Sequence, residues 1–364
     1  MRQFLSRVSR KTLMIGGIVL SVVLLTGVGL AAAAALHASA PNTAHNASVS
    51  PTTQPKNDQA MKHLHVVQVT AVNGNTITVV PVREIAKKNE KKTPVTLTIS
   101  SSTKITKYGQ PAQASAIQVD EFLVVKGTDA QHIQEIAILG YGVRGTIQKI
   151  SNNTLTLQTE QNKTVQVTVS NSAHIFVGHL PASLSDLQVN ETIEAFGDKN
   201  NDGSLNAMLV HVDLIHGQVT SINGNTIMLS SGNKGEQTTV TTNAATRYYV
   251  ANQPVPASTL QQGDTIGVAG PGSQKSGVTA TAIFIHAPAV HGTVTGVNGN
   301  IITVKTKDGT TWTITVNSDT KYFQGKQPAA LSAVQVNSEI RAVGPKTGDN
   351  ALTAIVVRIA APKK

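Results

Sequence analysis

Short runs of alternating β-branched and polar residues recur along most of this chain, each interrupted by Asn and Gly. The clearest reads His216-Gly217-Gln218-Val219-Thr220-Ser221-Ile222-Asn223-Gly224-Asn225-Thr226-Ile227, and it returns from His291 to Ile302, 75 residues on. Alternation with a period of two is the mark of a strand, and Asn-Gly tolerates the positive φ of a tight turn, so the phrase predicts a β-hairpin. Looser copies run through Arg144-Gly145-Thr146-Ile147 with Asn152-Asn153-Thr154-Leu155, and through Val69, Val72 and Asn73-Gly74-Asn75-Thr76-Ile77. Measured at Asn73, Ser151, Asn223 and Asn298, the steps are 78, 72 and 75 residues. A period of this size means tandem units. Units so small sit near the lower limit for an independent core and lean on their neighbours.

The third unit shows the expected course. Strands are predicted over 217–222, 226–230, 237–242 and 246–250, then a short helix or turn over 257–264, then strands over 265–269 and 278–286. The second half has its own signature, Ala-Ser or Ala-Leu running to a Gly: Ala114-Ser115 to Gly127, Ala182-Ser183 to Gly197, Ala257-Ser258 to Gly270, Ala330-Leu331 to Gly344. The recurring Gly reads as a turn or bulge at a strand end. Five or six short antiparallel strands leave exposed edges in a flat sheet, and closure removes them. The predicted fold class is therefore all-β, as four tandem small antiparallel OB-like barrels, with a sandwich as the alternative. The repeats are bounded at 63–141, 142–214, 215–288 and 289–364. The first alone carries an insert, Arg83-Glu84-Ile85-Ala86-Lys87-Lys88-Asn89-Glu90-Lys91-Lys92, which reads as a solvated hairpin tip, with contact to anionic lipid as the other use of its charge.

Before the repeats the pattern changes. Residues 1–11 carry Arg2, Arg7, Arg10 and Lys11 and no acid; residues 12–36 are uncharged and rich in Val, Leu, Ile, Gly and Ala. About 20 apolar residues span a bilayer as a helix, and the basic flank stays in the cytoplasm. An N-terminal transmembrane helix is expected, with the repeats outside the cytoplasmic membrane. A secretory signal cleaved near Ala40, after Ala38-Ser39-Ala40, is the alternative and leads to the same compartment. Residues 37–62 are Ala, Ser, Thr, Pro, Asn and Gln with almost no large apolar side chain, the composition of a disordered linker.

The repeated phrases Gly-x-Val-x-x-Val/Ile-Asn-Gly-Asn-Thr-Ile-x-Val, Thr-Lys/Arg-Tyr and Ala-Ser-x-Leu-x-x-Gly-Asp-x-Ile-x-Val-x-Gly resemble the bacterial family called domain of unknown function 5666. The resemblance covers most of 64–361 as four tandem copies and is best in the last two. Copy one has Val67 where the first Gly belongs, and copy two has Ser151-Asn152-Asn153 for Asn-Gly-Asn. It implies secreted or envelope-anchored β modules with no assigned catalytic activity, and it carries over no functional residue.

Composition narrows the chemistry. Cys is absent, which excludes disulfides, thiol catalysis and Cys-ligated zinc. The net charge of +10 is spread out: five basic and one acidic residues precede Lys62, the stretch from Lys62 to residue 141 holds nine and six, and the later repeats hold four and seven, three and two, and nine and four. Strong nucleic-acid binders concentrate charge on one surface. No nucleic acid is expected as a partner; the membrane, a cell-wall polymer or another envelope protein is.

Several motifs call for a site. Asp198, Asn200, Asp202 and Gly203 match positions 1, 3, 5 and 6 of an EF-hand loop and make a candidate calcium site, although position 12 is Leu209 rather than Glu. The competing reading is a hairpin tip. His211 with His216, and His286 with His291, are each five apart across a junction; four imidazoles suit zinc or copper only if the junctions bend, because five-residue spacing points side chains to opposite faces of a strand. Lys104, Arg247 and Lys321 recur at one position, with His174 in the second repeat, a candidate polyanion-binding row. Tyr248, Tyr249, Tyr322, Phe323 and Phe176 fall beside it and read as core packing. Ser101-Ser102-Thr103-Lys104 and Ser318-Asp319-Thr320-Lys321 match Ser-x-x-Lys, and Lys346-Thr347-Gly348 supplies Lys-Thr-Gly, but no Ser-Asp-Asn accompanies them and a penicillin-binding reading is rejected. No nucleophile, base and orienter recur together. The expected function is a non-enzymatic, membrane-anchored envelope spacer or binding module; the alternative is a calcium- or polyanion-binding surface. No cofactor is called for beyond that Ca2+.

Overall fold

A computed structural model describes residues 65–82, 94–231, 236–325 and 327–360. Residues 1–11, 12–36 and 37–62, with the basic segment, the membrane helix and the linker expected there, lie outside the described residues, as does the insert 83–92. No helix among the described residues is long and apolar enough to cross a membrane. The chain forms two compact units. The first runs to Asp186 and takes in Ile193–His211; the second holds Leu187–Thr192 and everything from Val212.

In the third repeat the strands are Ile215–Asn223, Thr226–Ser231, Glu236–Thr241, Arg247–Val250, Gln253–Val255, Thr265–Ala269, Gly272–Ser273, Gly277–Thr279 and Ala282–Ile285, with a 3-10 turn at Ala257–Thr259. The first two form the expected hairpin. Asn223 faces Thr226 across the loop Gly224-Asn225, and Gly224 takes φ +57. The Asn225 carbonyl then accepts the N–H of Thr242, so the turn also pins the end of the third strand; Asn75, Asn153 and Asn300 do the same for Ile99, Val169 and Val316. The hairpin carries a bulge that the alternation did not reveal. The register slips between Val219 and Ser221, and the Thr220 hydroxyl donates to the Met228 carbonyl. The slip recurs at Val69/Ala71, Ile147/Lys149 and Val294/Gly296. One extra residue per hairpin bends the strand, which lets a short sheet wrap a core.

The closed barrels expected from the sequence are not what forms. Each unit is built of open sheets coiled as a β-solenoid. In the third repeat the hydrogen-bonded order runs from Gln253–Val255 at one edge to Gly272–Ser273 at the other, with no pairing between these two ends, and the fourth repeat has the same order. The cause lies in the segment predicted as one closing strand over 278–286. It breaks at Ala280 and Thr281 into two pieces with different partners: Gly277–Thr279 adds parallel to Glu236–Thr241, and Ala282–Ile285 lies between Arg247–Val250 and Thr265–Ala269. The edges are blunted by strands of two or three residues.

The first two repeats share one 12-stranded sheet. A 19-residue strand, Ile133–Ser151, pairs with Phe122–Gly127 in the first and with Thr154–Thr159 in the second. The boundary drawn at 141/142 falls inside it.

Each repeat keeps its own apolar interior. In the third, Val219, Ile227, Leu229, Val240, Ile266, Val268 and Ile283 are almost wholly buried. Burying one such side chain contributes roughly 1.5–3 kcal/mol. Val343, from the fourth repeat, completes this cluster, so these two repeats lean on each other. The recurring Gly at the strand end marks close backbone approach: a Cβ on Gly197, Gly270 or Gly344 would fall on the carbonyl oxygen of Asn206, Thr279 or Thr353.

Candidate functional site

Most polar residues that recur with the repeat hold its turns. The carboxylate of Glu121 accepts the N–H of Gln118 at 2.9 Å; Glu191 does this for Gln188, and Asp264 for Gln261, while Ser338 serves Gln335 through its hydroxyl. Thr246 works in the same manner. Its hydroxyl accepts the N–H of Asn243 and donates to the Ala280 carbonyl, and Thr103 and Thr320 repeat both bonds. Thr246, and Thr320 of the second Ser-x-x-Lys match, are thus straps across the break in the closing strand, while Thr103 of the first match ties down the start of the unbroken strand Ile133–Ser151.

In the first unit three polar residues that do not recur, Lys107, Tyr108 and Asp198, meet the turn-capping Glu121. Lys107 Nζ sits 3.2 Å from Glu121 and 2.9 Å from Asp198, and the Tyr108 hydroxyl donates to Asp198 at 3.0 Å. Glu121 is fully buried, whereas Asp198 is 56% exposed. Burial pulls the Lys107 ammonium down, but the hydrogen bond to Asp198 and the charges of Glu121 and Asp198 outweigh it, and its pKa stands above the ordinary value. Burial first, then the charge of Asp198, pushes the Tyr108 phenol far up. Burial and the charges of Glu121 and Asp120 raise Tyr141, whose hydroxyl donates to Gln118. At neutral pH Lys107 is saturated and Tyr108 keeps its proton, so the cluster works as a brace between the first two repeats. Beside it Phe122 and Phe196 meet edge to face at 5.6 Å. A groove of about 400 Å³ opens there, with Gln68, Asp120, Tyr141 and Lys199 over a floor that includes Phe122 and Val143.

The calcium-loop residues go separate ways. Asp198 is held by Lys107 and Tyr108; Asn200 exchanges side-chain bonds with Ser204 and Asn206; Asp202 accepts from the backbone and hydroxyl of Ser204, which lowers its pKa. The 200–204 segment closes as a hairpin tip, with Asn200 N–H on the Ser204 carbonyl. No group of three or more His, Asp or Glu fit to hold a metal occurs among the described residues. Of the histidines, His211 is buried with Nε2 on the Gly178 carbonyl, and burial lowers its pKa. His216 meets His286 instead of its sequence neighbour, ring centroids 5.6 Å apart. Lys104, Arg247 and Lys321 each open the strand after the strapping Thr, and all three are exposed. Their common place is a register position. Neither the groove above nor the one in the fourth repeat is lined by any of them.

The brace residues Lys107, Tyr108 and Glu121 were not singled out from the sequence. A signal existed. The strand registers align Lys107-Tyr108 with Val250-Ala251 and Gln324-Gly325, so a cation and a phenol interrupt the repeat's pattern there.

The model of the domain of unknown function, DUF5666, matches three stretches of the chain, 144–211, 216–283 and 291–358, more than half of its length. The chain belongs to the DUF5666 family. Among curated proteins none matches. Two solved structures are similar at 12% identity: a multidomain protein with nucleic acid binding domains from Streptococcus pneumoniae TIGR4, over 59% of this chain and 73% of that one with a TM-score of 0.16, and Drosophila Unr CSD456, over 62% and 98% with a TM-score of 0.17. Likenesses at such scores carry no argument about a DUF5666 protein. The three matched DUF5666 copies each span the bulged hairpin and the recurring Gly; the closing strand is divided in the last two, while in 144–211 it is the unbroken Leu205–Val212.

Proposed function

We propose that this DUF5666 protein is a non-enzymatic, membrane-anchored extracytoplasmic module, a string of β repeats that acts as an envelope spacer and binding surface. The observation that carries the reading is the use of the repeated polar side chains: acids cap turns, and threonines strap strands, in one repeat after another. A unit that spends its recurring polar groups on its own architecture, and is copied in tandem, suits reach and multivalency better than it suits one reactive cleft. The basic residues of 1–11 and the uncharged 12–36 support a location outside the cytoplasmic membrane. We include 63–141 as a fourth, divergent copy, since it has the same bulge, loop-Asn bond and turn-capping acid.

Fractionation with protease accessibility tests the location. The full chain should sediment with membranes, and protease added to intact cells should remove the repeats. Recovery of the whole chain from the soluble cytosol, protected from protease, overturns the proposal.

A further inference from the structure

Strand register defines one rung that can be compared between repeats. In the fourth it is His291, opposite Arg341, opposite Arg358, opposite Phe323. In the third it is His216, Gly267, Phe284 and Tyr249, and in the first Val66, Val124, Ala137 and Thr106. The first repeat buries this rung: Val66, Val124 and Thr106 are at most 6% exposed, and Val66 and Val124 pack with Phe176, Phe196 and Leu209 of the second. In the third, Phe284 is buried and stacks on Tyr249, with centroids 5.4 Å apart. In the fourth the rung faces solvent. His291, Arg341 and Arg358 are exposed, and the covering apolar residues are replaced by two guanidinium groups.

Those groups are placed for an anion. Neighbouring strands are about 4.8 Å apart, so Arg341 and Arg358 stand side by side as like charges on one sheet face. Arg358 lies over the Phe323 ring at 5.1 Å, which fixes the plane of its guanidinium. Toward the other edge, a groove of about 270 Å³ continues the patch with His291, Thr293, Lys305 and Lys307, and Glu339 is its one acid. The repeat holds nine basic and four acidic residues. Bringing an anion between the two arginines relieves their repulsion, and two adjacent forks suit a group with two free oxygens that stays charged at every physiological pH. Phe323 is taken up by Arg358, so it is no platform for a base; stacking platforms are what single-strand binders add to basic grooves.

We propose that this face of the fourth repeat binds a linear polyol phosphate, a phosphodiester polymer without bases. The choice of a wall-type polymer rests on the extracytoplasmic location proposed above; the recognition of phosphodiesters does not. The full-length chain in detergent is titrated with poly(glycerol phosphate), with oligothymidine and with neutral dextran. The proposal expects binding of poly(glycerol phosphate) that weakens with salt, no response to dextran, and at least tenfold weaker binding by R341Q/R358Q. R247Q/K321Q should bind as the parent does. Both variants change exposed side chains, and matching circular dichroism melts confirm that they fold. Equal losses in the two variants, or tighter binding of oligothymidine, overturn it. So does self-association of the parent that R341Q/R358Q abolishes, which makes the face a contact between copies. Binding as expected by a chain found in the cytosol would refute only the location, while absence of binding by a chain found outside would refute only this inference.

Discussion

Replacing Lys107 by Met removes the cation from the brace while keeping the length of the side chain. Two carboxylates lose a partner, and they are not equivalent. Glu121 is fully buried, and Lys107 itself is only 23% exposed. Stripping the partner from a buried charge costs about 3–5 kcal/mol. The N–H of Gln118 still reaches Glu121 and tempers this, so the low end, ~3 kcal/mol, is expected. Asp198 is 56% exposed, and water replaces most of what it loses, leaving about 1 kcal/mol or less for that arm. Lys107→Met should therefore be much more destabilising than Asp198→Asn, which spares the buried pair. Urea unfolding followed by circular dichroism measures both. The two repeats share one sheet, so the first unit should lose its signal in one transition. If Lys107→Met costs no more than Asp198→Asn, the argument that Glu121 depends on the ammonium is wrong.

Other outcomes follow from the same structure. Gly270→Ala should destabilise by ~3 kcal/mol, because φ is +147 and the new Cβ meets the Thr279 carbonyl; Gly224→Ala, with φ +57 and open space, should cost only about 1–2 kcal/mol, and equal melting shifts would refute the distinction. Thr246→Val leaves the Asn243 N–H and the Ala280 carbonyl short of a partner and should cost about 1–3 kcal/mol, read from the unfolding midpoint. The raised pKa of Tyr108 and of Lys107 means that the unfolded chain releases those protons first. Their stabilisation is complete below about pH 10 and is lost as pH rises beyond it. Tyrosine absorbance should then show a step that coincides with alkaline unfolding and shrinks in Tyr108→Phe; a titration complete before unfolding would refute this. His211 has the opposite sign. Its depressed pKa gives stability that is present above about pH 6.5 and lost as pH falls, so His211→Phe should flatten the acid side of a melting-versus-pH curve.

The tandem organisation, the hairpins and most strand positions were legible in the residues, because period-two alternation and Asn-Gly turns are local signals. The strand Thr265–Ala269 falls where the pattern placed it, and the expected helix or turn over 257–264 is a single 3-10 turn at Ala257–Thr259. The strap by Thr246 and the cap by Asp264 were hidden, since each depends on what lies across the sheet or at the next bend. The calcium pattern at Asp198, Asn200 and Asp202 followed from spacing alone. Spacing does not say that Lys107, 91 positions earlier, reaches Asp198.

By itself the sequence determined that the chain is a string of β units with turns at known places, since backbone propensity and side-chain alternation act over a few residues. Whether those strands close on themselves was decided only by pairing at a distance. The break at Ala280 and Thr281 sends two halves of one segment to different partners, and the unbroken strand Ile133–Ser151 welds two repeats into one sheet. Which face is buried and which is left charged was settled the same way. The rung that is Val66, Val124 and Ala137 in one repeat is His291, Arg341 and Arg358 in another, and only packing between repeats distinguishes a covered rung from an open one.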